Sequence, residues 1–248
     1  IVGLGRPLLA DPDWGAKIEA GRACDIRRCI SCNKGCTDAI QERRFISCVL
    51  NAENGCENVR SITPADVKKK VAVIGGGPAG LEAARVAALR GHSVTLFERE
   101  TELGGQLNLA CLPPRKSEMR RATQDLIHAV QRAGVRLCLG CTVTEQQLLD
   151  EKFDAVIVAV GAHNAAPAIP GKENINVADA WSVLAGREQV YGKVAVIGGG
   201  LVGSETAELL AEQGCHVSVI EMMDKIAAAE STTILPTLME SFKAHGVQ

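Results

Sequence analysis

Two runs of branched and small apolar residues in this chain are each followed by the same group of glycines. Residues 71–77 and 194–200 both have the sequence Val-Ala-Val-Ile-Gly-Gly-Gly. An unbroken apolar run of this kind is typical of a strand buried in a parallel sheet. The residues after the glycines predict helices over 81–90 and 204–213, and each helix leads into another apolar strand. The pattern therefore predicts two βαβ units in an α/β protein.

The glycines of each copy have the spacing G-x-G-x-x-G. They are Gly75, Gly77 and Gly80 in the first copy and Gly198, Gly200 and Gly203 in the second. The first glycine permits a tight turn, the second lets the backbone approach a pyrophosphate, and the third allows the helix to pack close to the strand. The helix then presents unpaired N–H groups and a positive dipole end to the phosphates.

An acidic residue follows the second strand of each copy at the same distance. Glu98 and Glu221 both lie 23 residues after the first glycine of their motif. A carboxylate at this position can bind both hydroxyls of an adenosine ribose. A single motif is also compatible with a βα turn that binds no ligand. Two motifs with the same acid spacing predict that the chain binds two dinucleotides.

The cysteines are concentrated near the start of the chain. Six of the ten lie within the first 56 residues, and Cys29, Cys32 and Cys36 occupy only eight positions, with Cys48 following. Thiolates suit zinc or iron–sulfur clusters. Three close ligands and a distant fourth favour a [4Fe–4S] cluster, and zinc stays open because the spacing is not that of the ferredoxins. Cys24 and Cys56 are interpreted as ordinary thiols.

Other apolar patterns complete the predicted elements. We predict helices over 118–133, 178–184 and 238–245, a strand over 135–139 and a further buried strand over 153–160. Residues 1–4 are expected to be the end of a strand, followed by a Gly-Arg-Pro turn, and residues 167–171 to be a linker. A third strand of the second unit is expected to begin after Val247. We therefore expect the chain to be a fragment of a longer polypeptide.

Composition excludes some classes of partner. The net charge of −2 and the isoelectric point near 6.3 argue against a nucleic-acid partner. The sequence contains no apolar run of membrane-spanning length and no signal-peptide pattern. We therefore expect a cytoplasmic protein without a membrane or nucleic-acid partner.

The order of these motifs resembles one family. The segment Gly-Arg-Pro-Leu-Leu-Ala-Asp-Pro at 5–12, the cysteine set and the two glycine motifs are similar to the old-yellow-enzyme-type NADH:flavin oxidoreductases with a C-terminal flavin domain. Their members include 2,4-dienoyl-CoA reductase, trimethylamine dehydrogenase and clostridial enoate and bile-acid reductases. The resemblance implies the tail of a TIM barrel over 1–23 and a [4Fe–4S] segment over 24–60. It further implies disulfide-reductase-like FAD and NAD(P)H subdomains over 61–185 and 186–248, the latter incomplete.

The resemblance also implies the residues that bind each cofactor. Those for the FMN phosphate, with FMN mostly in the barrel outside this chain, are Gly5 and Arg6. The implied cluster ligands are Cys29, Cys32, Cys36 and Cys48. The implied FAD residues are Gly75, Gly77, Pro78, Ala79, Gly80, Glu98, Arg99, Gly104, Gly105, Gln106, Val143, Gly161 and Ala162. Those for NAD(P)H are Gly198, Gly200, Gly203 and Glu221.

The implied function is an electron-entry module. Electrons from NAD(P)H would pass through FAD and [4Fe–4S] to FMN, for reduction of an activated C=C bond of an enoate or enoyl-type substrate. Glu221 favours NADH because it would repel a 2′-phosphate, and Lys225 keeps NADPH open. No residue of the chain is assigned a catalytic role, and a homo-oligomer is compatible with the sequence.

Three other interpretations stay open. One is an electron donor similar to the small subunit of glutamate synthase. Another is a dehydrogenase of the trimethylamine dehydrogenase type, whose second nucleotide site is not catalytic. The third is a zinc-stapled binding module with a structural nucleotide.

Overall fold

The computed structural model describes residues 1–165 and 168–248. These residues divide into two compact units. The first unit comprises Ile1–Ser31, Phe45–Asn108 and Glu118–Ala162, and the second comprises Cys32–Arg44, Leu109–Ser117 and His163–Gln248. The predicted linker at 167–171 begins at Pro167, which lies outside the described residues.

A four-stranded parallel sheet forms the centre of the first unit. Its strands, in the order β3-β2-β1-β4, are β1 Lys70–Ile74, β2 Ser93–Phe97, β3 Arg136–Cys138 and β4 Ala155–Val158. Val73 of β1 lies opposite Leu96 of β2 and Ile157 of β4. Parallel pairing of β1 and β2 brings their carboxyl ends together, so the first glycine motif and Glu98 lie at one edge of the sheet.

The second unit contains a two-stranded parallel sheet of β5 Lys193–Ile197 and β6 His216–Ile220. The backbone of Gln248 extends this sheet, because its N–H donates to Val217 O and its carbonyl accepts from Val219 N. A further strand at this edge stays a prediction.

Helices connect and cover the strands. In chain order they are α1 Arg6–Ala10, α2 Trp14–Glu19, α3 Thr37–Gln41, α4 Glu57–Arg60, α5 Pro78–Leu89, α6 Leu107–Ala110, α7 Ser117–Arg132, α8 Glu145–Asp150, α9 Ala180–Leu184, α10 Leu201–Glu212 and α11 Leu235–His245, with a 3₁₀ turn at Ala23–Asp25. In the described part of the chain, every helix is too short or too polar to cross a membrane. The predicted helices over 118–133, 178–184 and 238–245 are confirmed within a few residues.

Aliphatic side chains of α5, β1 and β2 form the core of the first unit. Leu81, Val73, Leu96 and Val130 are fully buried there. Burying side chains of this size removes apolar surface from water and is the main stabilising contribution to such a unit. The predicted burial of β1 is therefore confirmed.

Two strands are less buried than the sequence predicted. In β4, Val158 is 68% exposed and Val156 43% exposed. This strand is at the edge of its sheet, so an apolar composition alone does not bury it. In β5, Val194 and Val196 pack against the core of the second unit, whereas Ala195 and Ile197 are exposed. Only one face of β5 is therefore covered within this unit.

Three local predictions are also corrected. Residues 1–4 form no strand, because no described strand pairs with them. The predicted Gly-Arg-Pro turn is instead the start of α1, where Pro7 lies in the first helical turn and its fixed φ suits that position. Helices α5 and α10 begin at Pro78 and Leu201, so Gly80 and Gly203 lie inside the first helical turn rather than before it.

The burial of Leu81 gives a prediction about stability. Leu81→Ala leaves a cavity beneath the sheet and is expected to cost about 2–5 kcal/mol. Leu89→Ala changes the same residue type in the same helix, but Leu89 is 51% exposed, so its cost is expected to be well below that value. Amide hydrogen exchange in β1 and β2 measures the difference. Equal acceleration of exchange in both variants would show that Leu81 does not anchor this core.

Candidate dinucleotide and metal sites

The first glycine motif forms a turn that only glycine fits. Gly75 has φ +105°, and a Cβ added to it would lie 2.3 Å from the carbonyl oxygen of Ala159. A Cβ added to Gly80 would lie 1.8 Å from the carbonyl oxygen of Gly75. The first intrahelical bond runs from Leu81 N to Gly77 O at 2.9 Å. The N–H groups of the preceding helical residues therefore have no intrahelical carbonyl partner, which suits a phosphate.

Glu98 holds this turn in place. Its carboxylate accepts hydrogen bonds from Gly76 N at 2.5 Å and Glu100 N at 2.8 Å, and the residue is 8% exposed. Each carboxylate oxygen can accept a second hydrogen bond. The side chain is thus fixed at the end of β2 with acceptor capacity left for a ribose.

A second glycine segment covers the turn in the first unit. Gly104 N donates to Gly76 O at 2.9 Å, and a Cβ on Gly105 would lie 3.0 Å from the Cα of Gly77. Gln106 Nε2 donates to the carbonyl oxygen of Ala162 at 2.6 Å. The structure therefore brings together most of the residues that the sequence assigned to FAD.

The remaining predicted FAD residues lie around Glu98. Cys141 N donates to Glu98 O at 2.8 Å, and Val143 follows two residues later, in the half-buried loop after β3. Arg99 is exposed and pairs with Glu100 at 3.2 Å. A contact of either side chain with a nucleotide stays a prediction.

The second glycine motif repeats this geometry in the second unit. Gly198 has φ +96°, and a Cβ on Gly203 would lie 1.8 Å from Gly198 O. Glu221 accepts from Gly199 N at 2.7 Å and from Met223 N at 2.9 Å. The sequence repeat is thus a repeat of hydrogen bonds as well.

The two copies share one covering contact and differ at the next residue. Ala227 N donates to Gly199 O as Gly104 N donates to Gly76 O. A Cβ on Gly105 would lie 3.0 Å from the Cα of Gly77, whereas a Cβ on Gly200 would meet no described atom within 4 Å. The second turn is therefore the more open one at the position where the backbone approaches a pyrophosphate.

The predicted cluster ligands are distributed over both units. Cys29 and Cys48 belong to the first unit and Cys32 and Cys36 to the second, and all four are half-buried. Cys29, Cys36 and Cys48 carry free thiols. Thiolate sulfur is a donor that suits iron–sulfur chemistry or zinc. The assignment of these four cysteines as ligands of one cluster stays a prediction.

The comparison with protein families agrees with the glycine geometry. Residues 69–248 match the family described as pyridine nucleotide-disulphide oxidoreductase. The chain belongs to this family. The match implies binding of FAD and a pyridine nucleotide, which agrees with the two dinucleotide turns that the sequence predicts.

Individual proteins and structures are similar to this chain over nearly its whole length. The chain is 61% identical over 248 residues to the bilirubin reductase of Mediterraneibacter gnavus (strain CC55_001C), covering 100% of this chain and 39% of the relative. Among solved structures, a 2-naphthoyl-CoA reductase in complex with 2-naphthoyl-CoA is 31% identical, with a TM-score of 0.93 over 98% of this chain and 37% of the other. Histamine dehydrogenase from Rhizobium sp. 4-9 is 26% identical, with a TM-score of 0.86 over 100% of this chain and 39% of the other.

These relatives confirm the resemblance to the old-yellow-enzyme-type oxidoreductases. They include both reductases and an amine-oxidising dehydrogenase. The chain spans about two fifths of the length of each of these proteins.

The residues implied for the FMN phosphate lie near the start of the first unit. Gly5 precedes α1 and Arg6 is its first residue, and both are exposed. A guanidinium in this setting suits a phosphate. The assignment to FMN stays a prediction.

One cluster was missed by the sequence analysis. His128 Nε2 lies 3.1 Å and Arg132 Nη1 3.0 Å from Asp25 Oδ1, and Cys24 adjoins them. Burial acts to raise the pKa of Asp25, but the His128 hydrogen bond and the Arg132 charge outweigh it and lower that pKa. Arg22 also pairs with Asp25. Because Arg132 and Arg22 already compensate the carboxylate, no metal ion is assigned here.

The carboxylate of Glu221 gives a prediction about pH. Hydrogen bonds from the Met223 and Gly199 amides hold its pKa below the ordinary value of 4.5. A lowered folded-state pKa contributes stability that is present above the unfolded pKa and is lost as pH falls through the folded value. Between about pH 5 and pH 3, the wild type should therefore lose more stability than Glu221→Gln.

Hydrogen exchange in β5 and β6, or unfolding followed in urea, measures this difference at each pH. Glu240→Gln, at an exposed acid on α11, is the matched control and should follow the wild type. Parallel pH profiles for wild type and Glu221→Gln would mean that the two amide bonds do not stabilise the ionised form.

Proposed function

We propose that this chain is the electron-entry part of a flavin and iron–sulfur oxidoreductase that takes electrons from NAD(P)H. The observation that carries the proposal is the pair of matching carboxylate-held glycine turns, of which the first has Gly105 against its second glycine and the second has no described atom within 4 Å of a Cβ there. A turn enclosed at this glycine suits a tightly held FAD, and a turn open there suits a pyridine nucleotide that binds and leaves. The family match and the order of the motifs support the same assignment.

The role of this chain is to bind and orient. When bound, NAD(P)H, FAD, [4Fe–4S] and FMN would supply hydride and single-electron transfer. The helix N-termini of α5 and α10 would neutralise pyrophosphate charge, and Glu98 and Glu221 would hold the ribose hydroxyls. The cysteines at 29, 32, 36 and 48 are proposed as the cluster ligands.

NADH is the proposed electron donor in preference to NADPH. Glu221 is held in its ionised form by two backbone amides, and an ionised carboxylate would repel a 2′-phosphate. Lys225, four residues later, is the group that could offset this repulsion.

The substrate is proposed to be an activated C=C compound of the enoate or enoyl type. The relatives named bilirubin reductase and 2-naphthoyl-CoA reductase support a reductive role. The histamine dehydrogenase neighbour favours a second candidate, in which electrons leave an amine and the second nucleotide turn is not catalytic. A donor similar to the glutamate synthase small subunit is the weaker alternative, because the Gly-Arg-Pro-Leu start has no place in it.

Anaerobic absorbance spectroscopy of the holoprotein tests the proposal. We expect flavin bands over a broad iron–sulfur shoulder, with the flavin bands bleaching on addition of NADH and less readily with NADPH. Glu221→Ala should reduce the preference for NADH over NADPH, because the carboxylate that repels the 2′-phosphate is removed. Glu240→Ala should leave the preference unchanged.

Two outcomes would contradict the proposal. A flavin and cluster that NADH does not reduce, but that the amine substrate of a relative does reduce, would favour the dehydrogenase candidate. A colourless protein that contains zinc would favour a structural staple instead of an electron carrier.

A further inference from the structure

Asp38 is a buried carboxylate that joins two distant parts of the second unit. It lies in α3, two residues after Cys36, and is 5% exposed. Its Oδ1 atom accepts from Ser231 Oγ at 3.0 Å and lies 3.2 Å from Thr232 Oγ1. A buried carboxylate with hydroxyl donors is costly to leave unpaired, so this contact fixes the two segments together.

Two further residues of the cysteine segment, defined as Cys32–Arg44, make contacts to the same loop. Asn33 Nδ2 donates to Thr233 Oγ1 at 2.8 Å. Lys34 Nζ lies 3.3 Å from Glu230 Oε1, and the Glu230 side chain is 4% exposed. Contacts at three positions of one short segment hold it against the loop in a single register.

The loop is tied in turn to the second glycine motif. We define the link loop as residues 226–233. Ala227 N donates to Gly199 O at 2.6 Å, and a Cβ on Gly199 would lie 2.6 Å from Ile226 Cγ2. Ala227 is fully buried with φ +47°, a conformation that alanine adopts only where its surroundings impose it.

These contacts form one continuous path from the nucleotide turn to the cysteines. We propose that Asp38 positions the segment carrying Cys32 and Cys36 on the link loop, so that nucleotide bound at the second glycine motif steadies this segment. The proposal deepens the function proposed above and rests on it for the nucleotide. Asp38 acts through the segment and is a positioning residue.

The coupling works in both directions. A nucleotide that favours the turn with Gly199 bonded to Ala227 stabilises the link loop, and the loop holds the cysteine segment through Asp38. By linkage, if the bound nucleotide favours the ordered cysteine segment by a given factor, loss of that order weakens nucleotide binding by the same factor. The Asp38 contact is therefore where the link can be broken without altering the glycine turn or a cysteine.

The experiment measures amide hydrogen exchange at residues 32–41 of the holoprotein, with and without NAD⁺, which supplies no electrons. In the wild type, NAD⁺ should slow exchange there. Asp38→Ala should speed it about tenfold, since the buried Ser231 hydroxyl loses its carboxylate acceptor, and NAD⁺ should no longer slow it. The exchange rate of Asp38→Asn should lie between those of the wild type and Asp38→Ala, because the amide oxygen of asparagine can still accept a hydrogen bond. Glu42→Gln, at an exposed acid of the same segment that pairs with Arg44, is the control and should match the wild type.

The rate of iron release to a ferrous chelator, measured on the same samples, should be slowest in the wild type, intermediate in Asp38→Asn and fastest in Asp38→Ala. If Asp38→Ala does not yield folded protein, Ser231→Ala removes the same hydrogen bond from the loop side. Exchange at 32–41 that is equal in wild type, Asp38→Ala and Ser231→Ala would overturn the proposal. A wild type that binds NAD⁺ without any change at 32–41 would overturn it as well. A wild type without iron or NAD⁺ binding would instead contradict the proposed function, while faster exchange in Asp38→Ala would still support the positioning role.

Discussion

One steric constraint determines the geometry of both dinucleotide units: the third glycine of each motif lies against the carbonyl of the first. With a Cβ only 1.8 Å from that oxygen in either copy, no other residue can let the helix approach the strand so closely. The close approach turns the first amides of the helix outward. It also leaves one backbone amide of each turn facing the end of the next strand. Gly76 N donates to Glu98 in the first copy, and Gly199 N donates to Glu221 in the second. The proposed contacts with phosphate and ribose thus depend on one packing contact.

The same turn can serve two purposes because its surroundings differ. In the first unit a glycine segment and Gln106 lie over the turn, and Glu98 is buried. In the second unit Glu221 is partly exposed, and the link loop contacts Gly199, but no described atom lies within 4 Å of a Cβ on Gly200. Enclosure favours retention of a cofactor, and openness favours exchange. The cysteine segment contacts the link loop, so two of the proposed cluster ligands and the second glycine turn belong to the same unit.

The parts of this arrangement that depend on local chemistry were predictable from the sequence. The glycine spacing, the acid 23 residues later and the helix over 117–132 were read correctly, since each depends on neighbouring residues or a short repeat. The burial of β4 and β5 was predicted wrongly, because an apolar composition does not show which face of a strand another element covers. The His128–Asp25 pair joins residues 103 positions apart, and the Asp38–Ser231 pair joins residues 193 apart. No periodicity in a single sequence reveals such contacts.

The most direct test of the central claim counts the nucleotides that each copy of the motif retains. Native mass spectrometry of the holoprotein equilibrated with FAD and NADH should find one of each per chain. Gly80→Ala should lose FAD and keep NADH, and Gly203→Ala should lose NADH and keep FAD, because each new Cβ closes one turn only. Loss of both ligands from either variant, or of neither, would contradict the assignment of one dinucleotide to each turn.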